Sequence, residues 1–306
     1  MQEVESAATV PRTGRRRSEA LPAFFFLLPN IAGFLLFTLV PIIAAFALSL
    51  YDWPLISEPK FIGFGNYIRL FAKDPLFGQV IWNTLVYVVF YVAANLVVSL
   101  ALAVWLSQEI RGIKIFRAIF FLPVLVPPVA ISLIWQWIYA PGNGLINALL
   151  AVFGLQGPNW LGDTHWAMAS LILMSVWQLF GYNMLIFIAG IKGIPQALYE
   201  SASIDGAGGW ARFWWITVPM LSPSIFFAMV MTLITSFQTF DQVFVLTNGG
   251  PGSATEILGL YVYNNAFLWF RMGYGAAVAV IMFLFILAVT ILQMRLQRKW
   301  VHYETA

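Results

Sequence analysis

Apolar runs of about twenty residues recur along this chain, and charged residues gather in the short stretches between them. The first uncharged run covers residues 20–51 and the second covers 75–108, bounded by Asp74 and Glu109. Further apolar spans are expected near 116–139, 166–191, 222–246 and 274–295, with one in the second run near 80–106. Each has about the length that a helix rising 1.5 Å per residue needs to cross some 30 Å of hydrocarbon. Pro29 and Pro41 lie in the first run and are expected to bend it, since each removes a backbone donor. That run is too long for a signal-peptide core and has no small-residue cleavage site, so it reads as the first span. The pattern predicts an all-α integral membrane protein with six transmembrane helices. The segments are an N-terminal tail (1–20), a first transmembrane helix (21–51), a core of five helices (77–295) and a C-terminal tail (296–306).

Composition removes the soluble alternative. The 306 residues carry 16 Lys and Arg and 13 Asp and Glu, so 9% are charged where soluble domains average about 25%. Mean hydropathy is +0.83. The net charge of +3 follows topology and does not call for a nucleic acid. With both ends in the cytoplasm, twelve basic residues fall inside: Arg12, Arg15, Arg16, Arg17, Arg111, Lys114, Arg117, Lys192, Arg212, Arg295, Arg298 and Lys299. Four fall outside: Lys60, Arg69, Lys73 and Arg271. The asymmetry supports that orientation. Trp135, Trp137, Tyr139, Trp166, Trp269 and Tyr274 fall near outer span ends and read as lipid-interface anchors. Cysteine is absent, which excludes disulfides, thiolate metal sites and cysteine nucleophiles, and His165 and His302 lack ligand spacing. No metal or other cofactor is expected.

Residues 192–219, between spans four and five, form a longer piece than a bare connector needs. Gly193-Ile194-Pro195 opens a helix through Ile204, with Ile194, Ala197, Leu198, Ser201 and Ala202 on one small-to-apolar face and Gln196, Glu200 and Ser203 on another. Asp205-Gly206 breaks it, Gly208-Gly209 keeps the backbone pliable, and a second helix from Trp210 ends at Pro219. The readings are a protein-docking helix or an amphipathic helix resting on headgroups, the latter weakened by few cations on its polar face.

Glu200-Ser201-Ala202, three residues, Gly206, nine residues, then Ile216-Thr217-Val218-Pro219 resembles the EAA loop of binding-protein-dependent ABC importer permeases. Ser201 and Val218 stand where that family has Ala and Leu. Residues 61–67 (FIGFGNY), Asn83-Thr84-Leu85, Phe120-Phe121-Leu122-Pro123 and residues 246–251 (LTNGGP) are similar to its carbohydrate-type members, the maltose and glycerol-phosphate group. The resemblance implies a type I importer fold with a cytoplasmic coupling helix between helices 4 and 5. It also implies a second homologous permease, two cytoplasmic ATPase subunits, an extracytoplasmic solute-binding protein and residence in a bacterial or archaeal cytoplasmic membrane. Glu200, Ala202, Asp205 and Gly206 are then the ATPase-coupling positions, with Ile216 and Pro219 shaping packing and helix entry. Asp205 reads equally as a cap for the second helix. No G-x-x-x-x-G-K-[ST] loop is present, so ATP hydrolysis is expected in another chain.

Sugar hydroxyls stripped of water must be bonded again by polar groups in the bundle. Ser175, Gln178 and Tyr182 share helical spacing on span four, with Trp177 beside them offering a flat face. Gln238 and Asp241, three apart on span five, are expected as neighbours, with Phe237 adjacent. Such residues also serve simply to bond another helix. The resemblance favours Tyr182 and Gln238. The predicted function is ATP-driven import of a sugar, oligosaccharide or polyol by alternating access, with a glycerol-phosphate-type ester as second cargo. An ion-coupled carrier would call for buried charge pairs, which spans one to four and six lack, and an enzyme would call for a catalytic constellation, which is not found.

Overall fold

The computed structural model describes residues 20–108 and 110–301. The expected tails therefore fall largely outside the described residues, as do Arg12, Arg15, Arg16, Arg17 and His302. The chain separates into two compact units, Met1–Ala47 and Leu48–Ala306.

In the first unit, helix α1 (Ala20–Phe34) runs through a π-helical stretch, Leu35–Leu39, into α2 (Val40–Leu48). The chain stays helical through both Pro29 and Pro41. Pro41 has no N–H to give the Phe37 carbonyl, and just before it the ladder widens so that Val40 N–H bonds Leu35 O. Phe24, Phe25, Phe26 and Phe37 all point outward, as suits a helix with lipid for solvent.

The second unit starts with a small layer of strands and a short helix ahead of the long helices. Strands β1 (Tyr51–Asp52) and β2 (Lys60–Phe61) pair antiparallel, and α3 (Gly65–Ala72) returns the chain. The Asn66 amide donates to Ser49 O and Tyr51 O, both at 2.9 Å, and so pins this layer. The long helix α4 (Pro75–Leu106) follows, with the Asp74 carboxylate accepting from Leu76 N–H and Phe77 N–H and Pro75 in the first turn.

The stretch expected as one span near 116–139 is two helices instead. Helix α5 (Ile113–Phe121) runs into a 3₁₀ turn, Leu122–Leu125, and α6 (Pro128–Ile138) departs at 100°. Pro123, Pro127 and Pro128 remove three donors within six residues, and Pro127 holds its backbone extended (φ −53°, ψ 136°). Neither half, at roughly 14–17 Å, crosses a bilayer alone. The loop beyond it carries α7 (Leu145–Val152) before α8 (Ala167–Gly193).

Helices α9 (Gln196–Ile204), α10 (Gly209–Arg212) and α11 (Val218–Met220), the last two joined by a π stretch at Phe213–Thr217, form the loop between spans four and five. The chain then bends 66° into α12 (Ser222–Phe237). The span expected through residue 246 breaks at Gln238–Phe240 and resumes as α13 (Asp241–Leu246). No Gly or Pro marks that break; Gly259 lies so close to it that a Cβ there would meet Thr239 O at 2.5 Å. Helix α14 (Leu258–Tyr263) and a π stretch, Asn264–Leu268, lead to α15 (Met272–Gln297). Among the described residues four unbroken helices are long and apolar enough to cross a membrane, or six if each bent pair counts as one span.

The core gathers side chains of α4, α6, α8, α12 and α13, around Tyr87, Tyr91, Leu171, Met174, Phe237 and Val243, with α4 against α8 and α12, and α13 against α6. Of the aromatics expected at the lipid interface, Trp137, Trp166 and Trp269 are exposed. Trp135, Tyr139 and Tyr274 are buried: Tyr139 donates its hydroxyl to Ser170 O at 2.9 Å, and Tyr274 donates to Asp74. Each ring therefore belongs to the protein interior and not to lipid.

Tyr261 and Tyr274 both donate to Asp74, tying α14 and α15 to the start of α4. Burial raises the Asp74 pKa, but these two hydroxyls and the backbone N–H groups of Leu76 and Phe77 outweigh it and leave the carboxyl below its ordinary value. A depressed folded-state pKa contributes stability above the unfolded value, near 4, that is lost as pH falls through the folded one. Asp74→Asn keeps a capping oxygen but removes the charge. The wild type should therefore melt above this variant at neutral pH, with the gap closing below about pH 4. Melting midpoints followed by tryptophan fluorescence across that range test this; a gap independent of pH contradicts it.

Candidate coupling elbow and transport pathway

Helix α9 leaves α8 through the buried Ile194, with Pro195 just before its first turn. It closes with a two-bond terminus: Gly206 N–H bonds Ser203 O at 3.1 Å, and Ala207 N–H bonds Ala202 O at 2.9 Å. Gly206 sits at φ +77°, the left-handed conformation that this termination places on the residue after the cap. Asp205 is the cap residue of α9, and Gly208 occupies that position ahead of α10. The expectation that Asp205 caps the second helix is therefore corrected: the three-residue approach to α10 moves the cap to Gly208, and the Asp205 side chain stays exposed.

Two side-chain bonds hold the elbow as one piece. The Tyr199 and Thr217 hydroxyls lie 3.0 Å apart, and Arg212 Nη1 donates to Ser203 Oγ at 3.0 Å. Glu200, Ser201, Asp205 and Gly206 face outward beside a half-buried Ala202, as do Ala197 and Leu198 of the small-to-apolar face. Ile216 and Pro219 are half-buried in the arm behind. The second helix passes Pro219 and ends at Met220, one residue later than expected, because Pro219 falls in the first turn after a π stretch, where a proline is tolerated. Trp210, Trp214 and Trp215 are exposed on this arm. Their spacing, four and five residues on from Trp210, is the sequence signal for this exposed aromatic face.

The expected pathway residues separate into two groups. Trp177 and Tyr182 are 41% and 47% exposed, and Gln238 is also exposed. Gln178 and Phe237, at 1% and 2%, are sealed inside the bundle. Gln178 donates to Val126 O at 3.4 Å, the carbonyl at the α5–α6 break, and accepts from Gln242 Nε2 at 3.5 Å. Ser175 is likewise buried and bonds its own helix at Leu171 O. The stripe Ser175, Gln178, Tyr182 is therefore not one exposed surface: Tyr87 of α4 lies against Ser175, and Val126 and Gln242 lie against Gln178. Gln238 and Asp241 do not share a continuous helix either, because the chain turns between them; Asp241 is half-buried in the first turn of α13.

A buried polar cluster escaped the sequence reading. Asn183 Nδ2 reaches Asn95 Oδ1 and Thr232 Oγ1, both at 2.7 Å, and Ser99 donates to Phe180 O at 2.8 Å. It joins α4, α8 and α12. Two asparagines within charge-free spans were the signal for it.

The chain has no cysteine, so single cysteines can be introduced without background. Trp177→Cys, Tyr182→Cys and Gln238→Cys should react with a membrane-impermeant maleimide at least about tenfold faster than Gln178→Cys and Phe237→Cys. Equal protection of all five would contradict a water-accessible route along this surface.

Comparison with known proteins gives the geometry its context. Residues 95–302 match the family described as the binding-protein-dependent transport system inner membrane component. The chain is 40% identical over 277 residues to the probable ABC transporter permease protein YurN of Bacillus subtilis, covering 89% of this chain and 94% of that one. It is 34% identical over 292 residues to the lactose transport system permease protein LacF of Rhizobium radiobacter, covering 94% and 97%. Its fold matches a permease chain of a bacterial alginate ABC transporter, crystallised with an alginate pentasaccharide-bound periplasmic protein, at a TM-score of 0.83 and 23% identity over 94% and 98% of the two chains. The architecture is the type I importer fold, and this chain belongs to the binding-protein-dependent transport system inner membrane component family, as a permease component of an ABC transporter.

Proposed function

We propose that this permease carries a carbohydrate into the cell by alternating access, driven by separate ATPase subunits that grip it at Glu200, Ala202, Asp205 and Gly206. The observation that carries the reading is the elbow. It presents a short helix with a small, exposed face, and its Tyr199–Thr217 and Ser203–Arg212 bonds tie that helix to the arm that becomes α12. A push on α9 is thereby delivered to a membrane-crossing element, with Ile216 and Pro219 holding the arm. Two-state rocking of packed helices is the form of motion such a lever supports.

The carbohydrate class is supported by the lactose permease relative and by three exposed polar or aromatic side chains in the bundle, Trp177, Tyr182 and Gln238. The exposed apolar surface beside them suits a second, homologous permease subunit, with the cargo passing between the two. A solute-binding protein delivers it from outside, and both termini lie in the cytoplasm, as the distribution of cations favours. Gln178, Phe237 and Asp241 support the route from behind and do not touch cargo.

Gly206 gives the sharpest test. Gly206→Pro imposes φ near −65° and removes the N–H that bonds Ser203 O, whereas asparagine tolerates the left-handed conformation. Gly206→Pro should lower sugar uptake at least about tenfold while ATP hydrolysis by the membrane-inserted complex continues, and Gly206→Asn should keep most uptake. Normal coupled transport in the proline variant would reject the docking role.

A further inference from the structure

Four cations converge on one cavity at the end of the bundle where α4 turns into α5. The cavity, about 480 Å³, is lined by Arg111, Lys114 and Arg117 from the turn and α5 and by Lys192 from the last turn of α8, with Ile110 and Ile113 beside them. Arg117 is held in place: its Nε and Nη2 donate to Leu106 O at 3.0 and 2.6 Å, which closes the end of α4. Arg111, Lys114 and Lys192 are exposed. Among the described residues none of the four makes an ion pair. Glu109, the one carboxylate that the sequence places in this turn, lies outside the described residues.

Retention of a loop on one side of a membrane asks only that cations lie near span ends. It does not ask that Lys192, which follows Arg117 by 75 residues, enter the same cavity. Like charges brought together without an anion repel, so their convergence points to an anion that completes the site. The ligand must combine a strongly anionic group with an apolar body, because isoleucines form part of the lining and the cavity sits at the ends of membrane-crossing helices. Arginine binds phosphate oxygens in pairs and lysine adds charge.

We propose that this cavity holds the phosphate of an anionic phospholipid from the surrounding leaflet, with Arg117 as a fixed donor and Arg111, Lys114 and Lys192 closing on it. The site shares Lys192 with the start of the 192–219 segment but uses none of Glu200, Ala202, Asp205 and Gly206, and it does not depend on the coupling role.

The test uses the assembled transporter in detergent, with lipid binding read by native mass spectrometry. Short-chain phosphatidylglycerol should bind the wild type, and short-chain phosphatidylcholine should not. Each cation near an anionic headgroup contributes roughly fivefold, so the triple variant Arg111→Gln, Lys114→Gln, Lys192→Gln should bind phosphatidylglycerol about a hundredfold more weakly. Lys192→Gln alone, which leaves the α4–α5 turn untouched, should weaken binding about fivefold. Unchanged binding in both variants overturns the proposal. So does inorganic phosphate binding as tightly as the lipid, which would make this a free-anion site, or release of the ATPase subunits from either variant, which would make the cavity a protein interface.

Discussion

Hydrocarbon offers no hydrogen-bond partner, so each backbone group freed by a break in a crossing helix has to be met by the protein itself. That constraint organises the bundle. The breaks at Val126–Pro127 and at Gln238–Phe240 are not scattered: α13, which follows the second, packs against α6, which follows the first. Gln178 stands between them, bonding Val126 O on one side and Gln242 on the other. A buried glutamine that would be costly alone thereby satisfies a carbonyl that would also be costly alone. The Asn95, Ser99, Asn183 and Thr232 cluster does the same work deeper in the bundle, so α4, α8 and α12 are joined by polar bonds as well as by packing.

A bundle joined in this way moves as a body, and a lever is useful only if it is as stiff as the body it moves. The elbow meets that requirement with few parts. A left-handed glycine ends α9 sharply, a tyrosine–threonine pair and an arginine–serine pair lock the two arms together, and a π stretch carries the chain round to α12. The opposite end of α4 is fixed by different means: Asp74 collects two tyrosine hydroxyls and two backbone N–H groups, so α14 and the starts of α4 and α15 stay together.

Much of this was legible in the sequence, and the parts that were not share a physical cause. Span positions follow from the exclusion of charge from hydrocarbon, a local property that any apolar run displays. The spacing from Glu200 through Gly206 to Pro219 is also local, because a glycine must stand where the chain turns left-handed. The 100° break was written in Pro123, Pro127 and Pro128, but apolarity reads across prolines as though the helix continued. The break after Phe237 had no local signal, since Gly259, some twenty residues on, is what accommodates Thr239 O. Gln178 and Trp177 are sequence neighbours with opposite fates, one buried against Val126 and Gln242 and one exposed, and only tertiary packing decides between them.

The central claim is that force generated on ATPase subunits enters this chain through α9. Ser201 is small, exposed and on that helix, so Ser201→Cys in the cysteine-free chain leaves the surface nearly unchanged. Crosslinking from this single cysteine in a transporter that is actively importing sugar tests the claim most directly. The account predicts a crosslink to an ATP-hydrolysing subunit whose yield changes when ATP is added. Crosslinks that reach only lipid or the partner permease, in a complex that transports normally, would contradict it.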